Sequence, residues 1–322
     1  MSGRWNNSAY MNKRWLSAVP AEAGIFGALL ILGAVLTFAS PVFLTGENLA
    51  TVARQFSVIG IISVGMTFVI VAGEIDLSVG SVLALAGIVT AKLAVDYAWP
   101  LPGAVLMGCI SGTLAGLLNG VLVVAMGIPS FIITLGMMSV VRGLTYVITQ
   151  GAPVSDLPEG IRFLGYGTVF GVSVPVITML LSAVAGGVVL ARTKLGRYVY
   201  ASGGNLEAAR LSGVPTAQVR VFVFALTGAL AAMAGIINTG WVTIAQPVAG
   251  LGYELDVIAA VIIGGASFSG GKGTVLGTML GATLMGFLRN GLVLLGVNVY
   301  WQQVAIGAVI VLAVMLDKVR RH

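Results

Sequence analysis

The chain has 322 residues, 58% of them hydrophobic and 9% charged, with a formal net charge of +6. Soluble domains carry about 25% charged residues, so this composition excludes a soluble enzyme or a nucleic-acid-binding domain and defines a polytopic membrane protein, with the positive excess assigned to cytoplasmic loops. One cysteine, Cys109, and one histidine, His322 at the last position, leave no intrachain disulfide, no cysteine- or histidine-based metal site and no histidine catalysis; no catalytic residue, metal or cofactor is expected.

In chain order, Arg4, Lys13 and Arg14 precede an apolar run over 23–40. The run is too long for a secretory signal core and no small-x-small cleavage site ends it, so it reads as a retained first span. A membrane helix needs about 20 apolar residues. Further candidates lie at 55–72, 78–95, 101–126, 130–149, 174–191, 221–240, 255–265, 274–295 and 299–316, the one at 255–265 being short. The expected fold is all-α, with about ten transmembrane helices, some short or broken, in a single transmembrane domain over 1–322. An even number of spans places both termini on one side. With that side inside, twelve of the seventeen Lys and Arg residues are cytoplasmic, which predicts N-in and C-in. The segments 1–22, 192–220 and 317–322 are then cytoplasmic.

Glycines recur every fourth residue at Gly108, Gly112, Gly116 and Gly120, and again at Gly273, Gly277 and Gly281. This spacing makes one smooth helix face on which a neighbouring backbone approaches closely. Helix packing is the leading reading; dimerisation or pore lining is the rival one.

Two polar breaks interrupt the apolar pattern, GEIDLSVG at 73–80 and GGASFSGGKG at 264–273. Broken helices are the sequence pointer to a transport site. Glu74 and Asp76, two apart, would face opposite sides of a continuous helix and so form no acid/base pair by spacing. Asp76 or Ser78 is expected to cap the following span, with gating or path lining as the alternative. The Lys272 loop lacks the glycine at 266 and the hydroxyl residue at 273 that a phosphate-binding loop needs, and is read as tight turns. Arg142 falls inside a span, where an unpaired charge costs at least about 2.5–3.5 kcal/mol. A structural ion pair is expected, with Glu74, Asp76, Glu254 or Asp256 as its partner; Arg289 raises the same question. Asn119, Thr134, Asn238, Gln246 and Asn290 are polar candidates for a path, and Trp241, Tyr253 and Trp301 are either interfacial or sugar-stacking aromatics.

The longest polar interval is 192–220, with Arg192, Lys194, Arg197, Arg210 and Arg220 against the single acid Glu207. Such a segment stands in water. Within it, 205–214 predicts a short helix, capped by Asn205, acidic in its first turn at Glu207 and stopped at Gly213-Val214-Pro215. A short helix held outside the membrane suggests a docking piece for a soluble partner.

Four stretches carry a family resemblance: VGMTFVIVAGEIDLSVGSVLALAG at 64–87, RTKLGRYVYASGGNLEAARLSGV at 192–214, AQPVAGLGYELDVIAAVIIGGASFSGGKGTVLGTMLGA at 245–282 and GFLRNGLVLLGV at 286–297. With these motifs the chain resembles permease subunits of bacterial ABC sugar importers of the ribose, xylose, arabinose and galactose type. The resemblance implies an inner-membrane protein without enzymatic activity of its own. It also implies a separate ATP-binding subunit, a periplasmic sugar-binding protein that holds most of the selectivity, and a second permease copy, identical or paralogous. The helix in the polar loop would be the coupling helix, with Gly204, Asn205, Glu207, Ala208, Ala209, Arg210, Ser212 and Gly213 at the ATPase. Translocation or gating candidates are Glu74, Asp76, Ser78, Asn119, Arg142, Gln246, Glu254 and Asp256. Arg289 departs from the family pattern, which has an uncharged residue there. The implied substrate is a monosaccharide, with autoinducer-2 or a sugar alcohol as alternatives. A rival of another class is an ion-coupled secondary transporter using Glu74 and Asp76.

Overall fold

Long apolar stretches separated by glycine- and proline-rich turns fold into a helical bundle. The computed structural model describes residues 21–321; Arg4, Lys13 and Arg14, most of the expected 1–22 segment, and His322 lie outside the described residues. Thirteen helices follow: α1 (Ala21–Ala39), α2 (Gly46–Val71), α3 (Val79–Val95), α4 (Leu101–Met126), α5 (Ser130–Thr149), α6 (Glu159–Tyr166), α7 (Val174–Arg192), α8 (Lys194–Gly204), α9 (Leu206–Leu211), α10 (Thr216–Val242), α11 (Tyr253–Ile263), α12 (Val275–Leu294) and α13 (Val299–Arg321). Six of them, α1, α2, α4, α5, α7 and α10, are long and apolar enough to cross a membrane. The segment 317–321 continues α13 as helix.

Between α6 and α7 the all-helical expectation needs one amendment. Thr168–Val169 (β1) and Val172–Ser173 (β2) pair antiparallel. The two residues between them, Phe170 and Gly171, both have positive φ, at 52° and 79°, the conformation that a two-residue hairpin turn requires. Sequence reasoning also passed over α6, where glycines mask a short amphipathic turn, and α8, which lay inside the stretch read as polar loop. Thr193 marks the start of α8: its side chain accepts from Gly196 N at 3.2 Å.

The centre of the bundle is α10, which packs against α4, α3, α2 and α6. Phe224 and Phe68 are fully buried there, with Ile61, Ile62 and Met66. The glycine face of α4 lies directly on α10. A Cβ at Gly116 would overlap the Phe224 carbonyl and come within 3.1 Å of Gly228 Cα, and one at Gly120 would meet Val221 Cα at 2.7 Å. Small residues therefore bring backbones together within one chain. The same holds for Gly281 of α12, where a Cβ would come within 2.8 Å of Gly264 N at the end of α11.

Two helices of the expected set are short. The seventeen residues of α3 and the eleven of α11 cover about 25 Å and 16 Å at 1.5 Å per residue, less than a hydrocarbon core about 30 Å thick. Each is preceded by non-helical chain, 72–78 before α3 and 243–252 before α11, and the two helix starts meet. A Cβ at Gly80 would overlap the Gly250 carbonyl and lie 2.7 Å from Glu254 Oε2.

Candidate functional site

Asn205, in extended conformation, accepts from Ala208 N through Oδ1 at 2.9 Å and so opens α9 as its sequence predicts. Ser212 closes the helix, and Gly213 follows at φ +81°, a value that glycine adopts without steric cost. Glu207 and Arg210 pair on the surface at 2.8 Å. Of the helix's residues Ala209 is buried, whereas Leu206 and Leu211 are 42% and 78% exposed. The result is a small projecting knob with charge and apolar surface side by side.

Beneath the knob, α8 ends in a junction of three backbones. Gly203 and Gly204 lie against Gly73, from the first polar break, and Gly270 and Gly271, from the second. A Cβ at Gly270 would come within 2.7 Å of the Gly203 carbonyl and 2.8 Å of Gly73 Cα. Gly271 N donates to the Val71 carbonyl at 2.9 Å, and Tyr200 Oη donates to the Gly273 carbonyl at 2.6 Å. Burial, reinforced by the negative charge of Glu22, pushes the Tyr200 phenol above its ordinary range, which keeps it a donor. On the other side of α9, Arg220 at the start of α10 bonds Glu74 Oε1 through Nε at 2.5 Å, with side chains only 17% and 9% exposed. Three motifs far apart in sequence thus meet at the foot of α9.

The first break continues inward as an extended segment held by side chains. Ile75 N donates to Ser130 Oγ at 3.0 Å, and Thr134 Oγ1 donates to the Ile75 carbonyl at 3.3 Å. Asp76 Oδ1 accepts from both Ser78 N and Ser78 Oγ, at 2.8 and 2.7 Å, and Asn119 Nδ2 donates to Ser78 Oγ at 2.8 Å. The expected cap on α3 is therefore not made: Ser78 has no side-chain bond to the first turn, because its hydroxyl is engaged by Asp76 and Asn119. Asp76, Ser78 and Asn119 form one buried polar chain, and Glu74 stands apart from it, paired outward.

Arg142 meets its expectation in part: Glu254, one of the four candidate carboxylates, interacts with it electrostatically, but no direct salt bridge joins the two among the described residues. Arg142 Nη1 donates to the carbonyls of Pro247 and Ala249 at 2.5 and 2.8 Å, and among the described residues its hydrogen bonds go to no carboxylate. Thr145 adds a bond to the Pro247 carbonyl at 3.2 Å. The charge is satisfied by carbonyls turned out of the irregular 243–252 segment, a partner type that carries no residue signature. Gln246, whose carbonyl accepts from Ala249 N at 3.1 Å, lies within that clamped segment. Asp256 pairs instead with Arg289, Nη2 to Oδ2 at 2.8 Å. Asn290 and Asn48 exchange amide hydrogen bonds at 2.9 and 3.1 Å. Of the sequence candidates, then, Glu74, Asp76, Ser78 and Asn119 gather around the first break, whereas Arg142, Gln246, Glu254 and Asp256 gather around the second non-helical approach. Arg220, which neutralises Glu74, was not singled out as a partner from sequence; Arg289 was marked as a charge in need of a partner, and that partner is Asp256.

A multi-helix membrane protein with two interrupted helices and a capped helix projecting from one end has the organisation of a transport permease. The family model described as branched-chain amino acid transport system / permease component matches residues 48–314. The chain belongs to this family. It is 44% identical over 300 residues to the ribose import permease protein RbsC of Haemophilus influenzae, covering 92% of this chain and 93% of the relative. It is 44% identical over 302 residues to RbsC of Bacillus subtilis, with 93% and 94% covered. To the L-arabinose ABC transporter permease protein AraH of Azospirillum brasilense it is 36% identical over 301 residues, with 94% and 88% covered. No solved structure matches.

Proposed function

We propose that this chain is the membrane-spanning permease subunit of an ABC importer for a monosaccharide, located in the bacterial inner membrane. Four of the seven helices outside the six long apolar ones (α3, α11, α12 and α13) complete about ten membrane-embedded helices, with N-in and C-in topology and α9 on the cytoplasmic side. There α9 docks into an ATP-binding subunit through Leu206, Glu207, Arg210 and Leu211. A sugar-loaded binding protein delivers its cargo on the opposite face, and a second permease copy completes the pathway. The chain moves sugar without forming or breaking bonds.

The observation that carries this reading is the glycine junction: α9 is attached through α8 to both polar breaks, so a displacement of α9 reaches the interrupted helices. A ligand or partner shifts a conformational equilibrium only through its different affinity for the two states; ATP-driven closure of the ATPase supplies that difference at α9. Of the two carboxylates of the ion-coupled alternative, Glu74 is held by Arg220, whereas Asp76 is buried and bonded to Ser78 with no cationic partner among the described residues, so the uptake experiment below decides between the two readings. Ribose and arabinose, transported by the relatives, are the first substrates to test.

The decisive experiment reconstitutes the chain with its ATPase and its binding protein in proteoliposomes. ATP hydrolysis should rise several-fold with sugar-loaded binding protein. Leu211→Asp should abolish retention of the ATPase during purification while the permease still inserts. Proton-gradient-driven sugar uptake by this chain alone would overturn the assignment.

A further inference from the structure

Around the Asp256–Arg289 pair lie two cavities, of ≈ 100 Å³ and ≈ 370 Å³, which share Tyr253, Asp256 and Arg289 as lining residues. The smaller also touches Gln55 and Trp241, the larger Gln302 and Gln303. The larger volume lies within the range of small-molecule pockets, about 300–1,000 Å³. Both abut the start of α11, one of the two helices interrupted inside the bundle.

The polar groups here are underused. Arg289 Nη2 is bound to Asp256 Oδ2, which leaves Asp256 Oδ1 and the other guanidinium N–H groups without a side-chain hydrogen bond among the described residues. The Arg289 side chain is 43% exposed although it sits on an otherwise apolar helix. Gln302 donates to the Val297 carbonyl at 2.8 Å, which leaves its own side-chain oxygen available, and the Gln303 side chain makes no hydrogen bond among the described residues.

We propose that these cavities form a single binding subsite for a neutral, polyhydroxylated ring, which is a monosaccharide. The ion pair sets the charge of the ligand: an anion would meet Asp256 and a cation Arg289, whereas a neutral ligand uses both. The fork of guanidinium donors beside a free carboxylate oxygen matches adjacent hydroxyls, each of which donates and accepts. The rings of Tyr253 and Trp241 supply an apolar wall for the C–H face of a sugar. An acyl chain would leave the second oxygen of Asp256, the spare N–H groups of Arg289 and the Gln303 amide without a partner. Because two glutamines lie at its rim, the subsite opens toward α13 without dismantling the pair. The inference rests on the sugar-permease reading and places the substrate within it.

The test uses the assembled permease, ATPase and binding protein. In a Cys109→Ala background, Gln303→Cys should react with a small maleimide, and D-ribose or L-arabinose in the millimolar range should slow that reaction several-fold, with glycerol as a weaker competitor. Gln303→Trp, which fills the larger cavity and leaves both members of the pair in place, should lower sugar uptake at least tenfold while ATP hydrolysis stimulated by loaded binding protein stays within twofold of the parent. Arg289→Gln should behave likewise if it assembles. Unprotected labelling by either sugar, together with normal uptake by Gln303→Trp, overturns the subsite. Should the parent complex itself show no sugar-stimulated hydrolysis or uptake, the permease reading fails instead, and the two failures are distinguished by that control.

Discussion

Glu74 shows how a short motif acquires its meaning from a distant partner. Its neighbour Asp76 turns inward to Ser78, whereas Glu74 reaches across 146 positions to Arg220. Removing one member of a buried ion pair leaves the other uncompensated, at a cost of about 3–5 kcal/mol; at 17% and 9% side-chain exposure the lower end applies. Glu74→Gln should therefore lower the melting temperature of the detergent-purified permease by several degrees. The double variant Glu74→Gln/Arg220→Gln should recover part of that loss, as a double-mutant cycle would read. If the single variants are additive, the pair contributes nothing. The partner was not legible beforehand, because charge spacing along a chain says nothing about contacts across a bundle. Arg142 teaches a related lesson, since its hydrogen bonds go to the carbonyls of Pro247 and Ala249 while Glu254, one of its expected carboxylates, acts on it only through its charge.

Among elements, legibility followed local signals. Cap, first-turn acid and stop residues all belong to the same short stretch, so α9 could be placed from 205–214 to within a turn. The glycine face of α4 was equally plain, and its packing role is met by α10. Gly116→Leu tests it: the added side chain would meet the Phe224 carbonyl and Gly228, and overpacking at so close a contact costs several kcal/mol. The variant should fail to accumulate in membranes, whereas Gly136→Leu, on α5 with open space around it, should accumulate normally. What stayed hidden were α6 and α8, whose apolar faces are short and mixed with glycine, and the hairpin, which depends on two positive φ angles at Phe170 and Gly171.

For the molecule as a whole, the two breaks were visible individually and their meeting was not. Sequence marks where a helix stops; only the fold shows that Gly73, Gly203 and Gly270 stop at the same place. Gly203→Val should obstruct that junction, because even a Cβ there would overlap the Val71 carbonyl and approach Gly271 N to 2.8 Å. The expected phenotype is separation of functions: the ATPase still co-purifies and hydrolyses ATP, while sugar uptake per ATP falls at least tenfold. Equal loss of both activities, or of neither, would show that the junction is a packing contact alone.

The absence of side chains at that junction has a mechanical consequence. Elsewhere in the bundle a shift of one helix is absorbed by rotamer changes in the layer of side chains between it and the next. Between Gly203, Gly73 and Gly270 there is no such layer, and close-packed backbones do not compress. A push on α8 would therefore meet no compliant layer before the two polar breaks. The junction would then act as a rigid linkage, which is the behaviour that Gly203→Val is designed to interrupt.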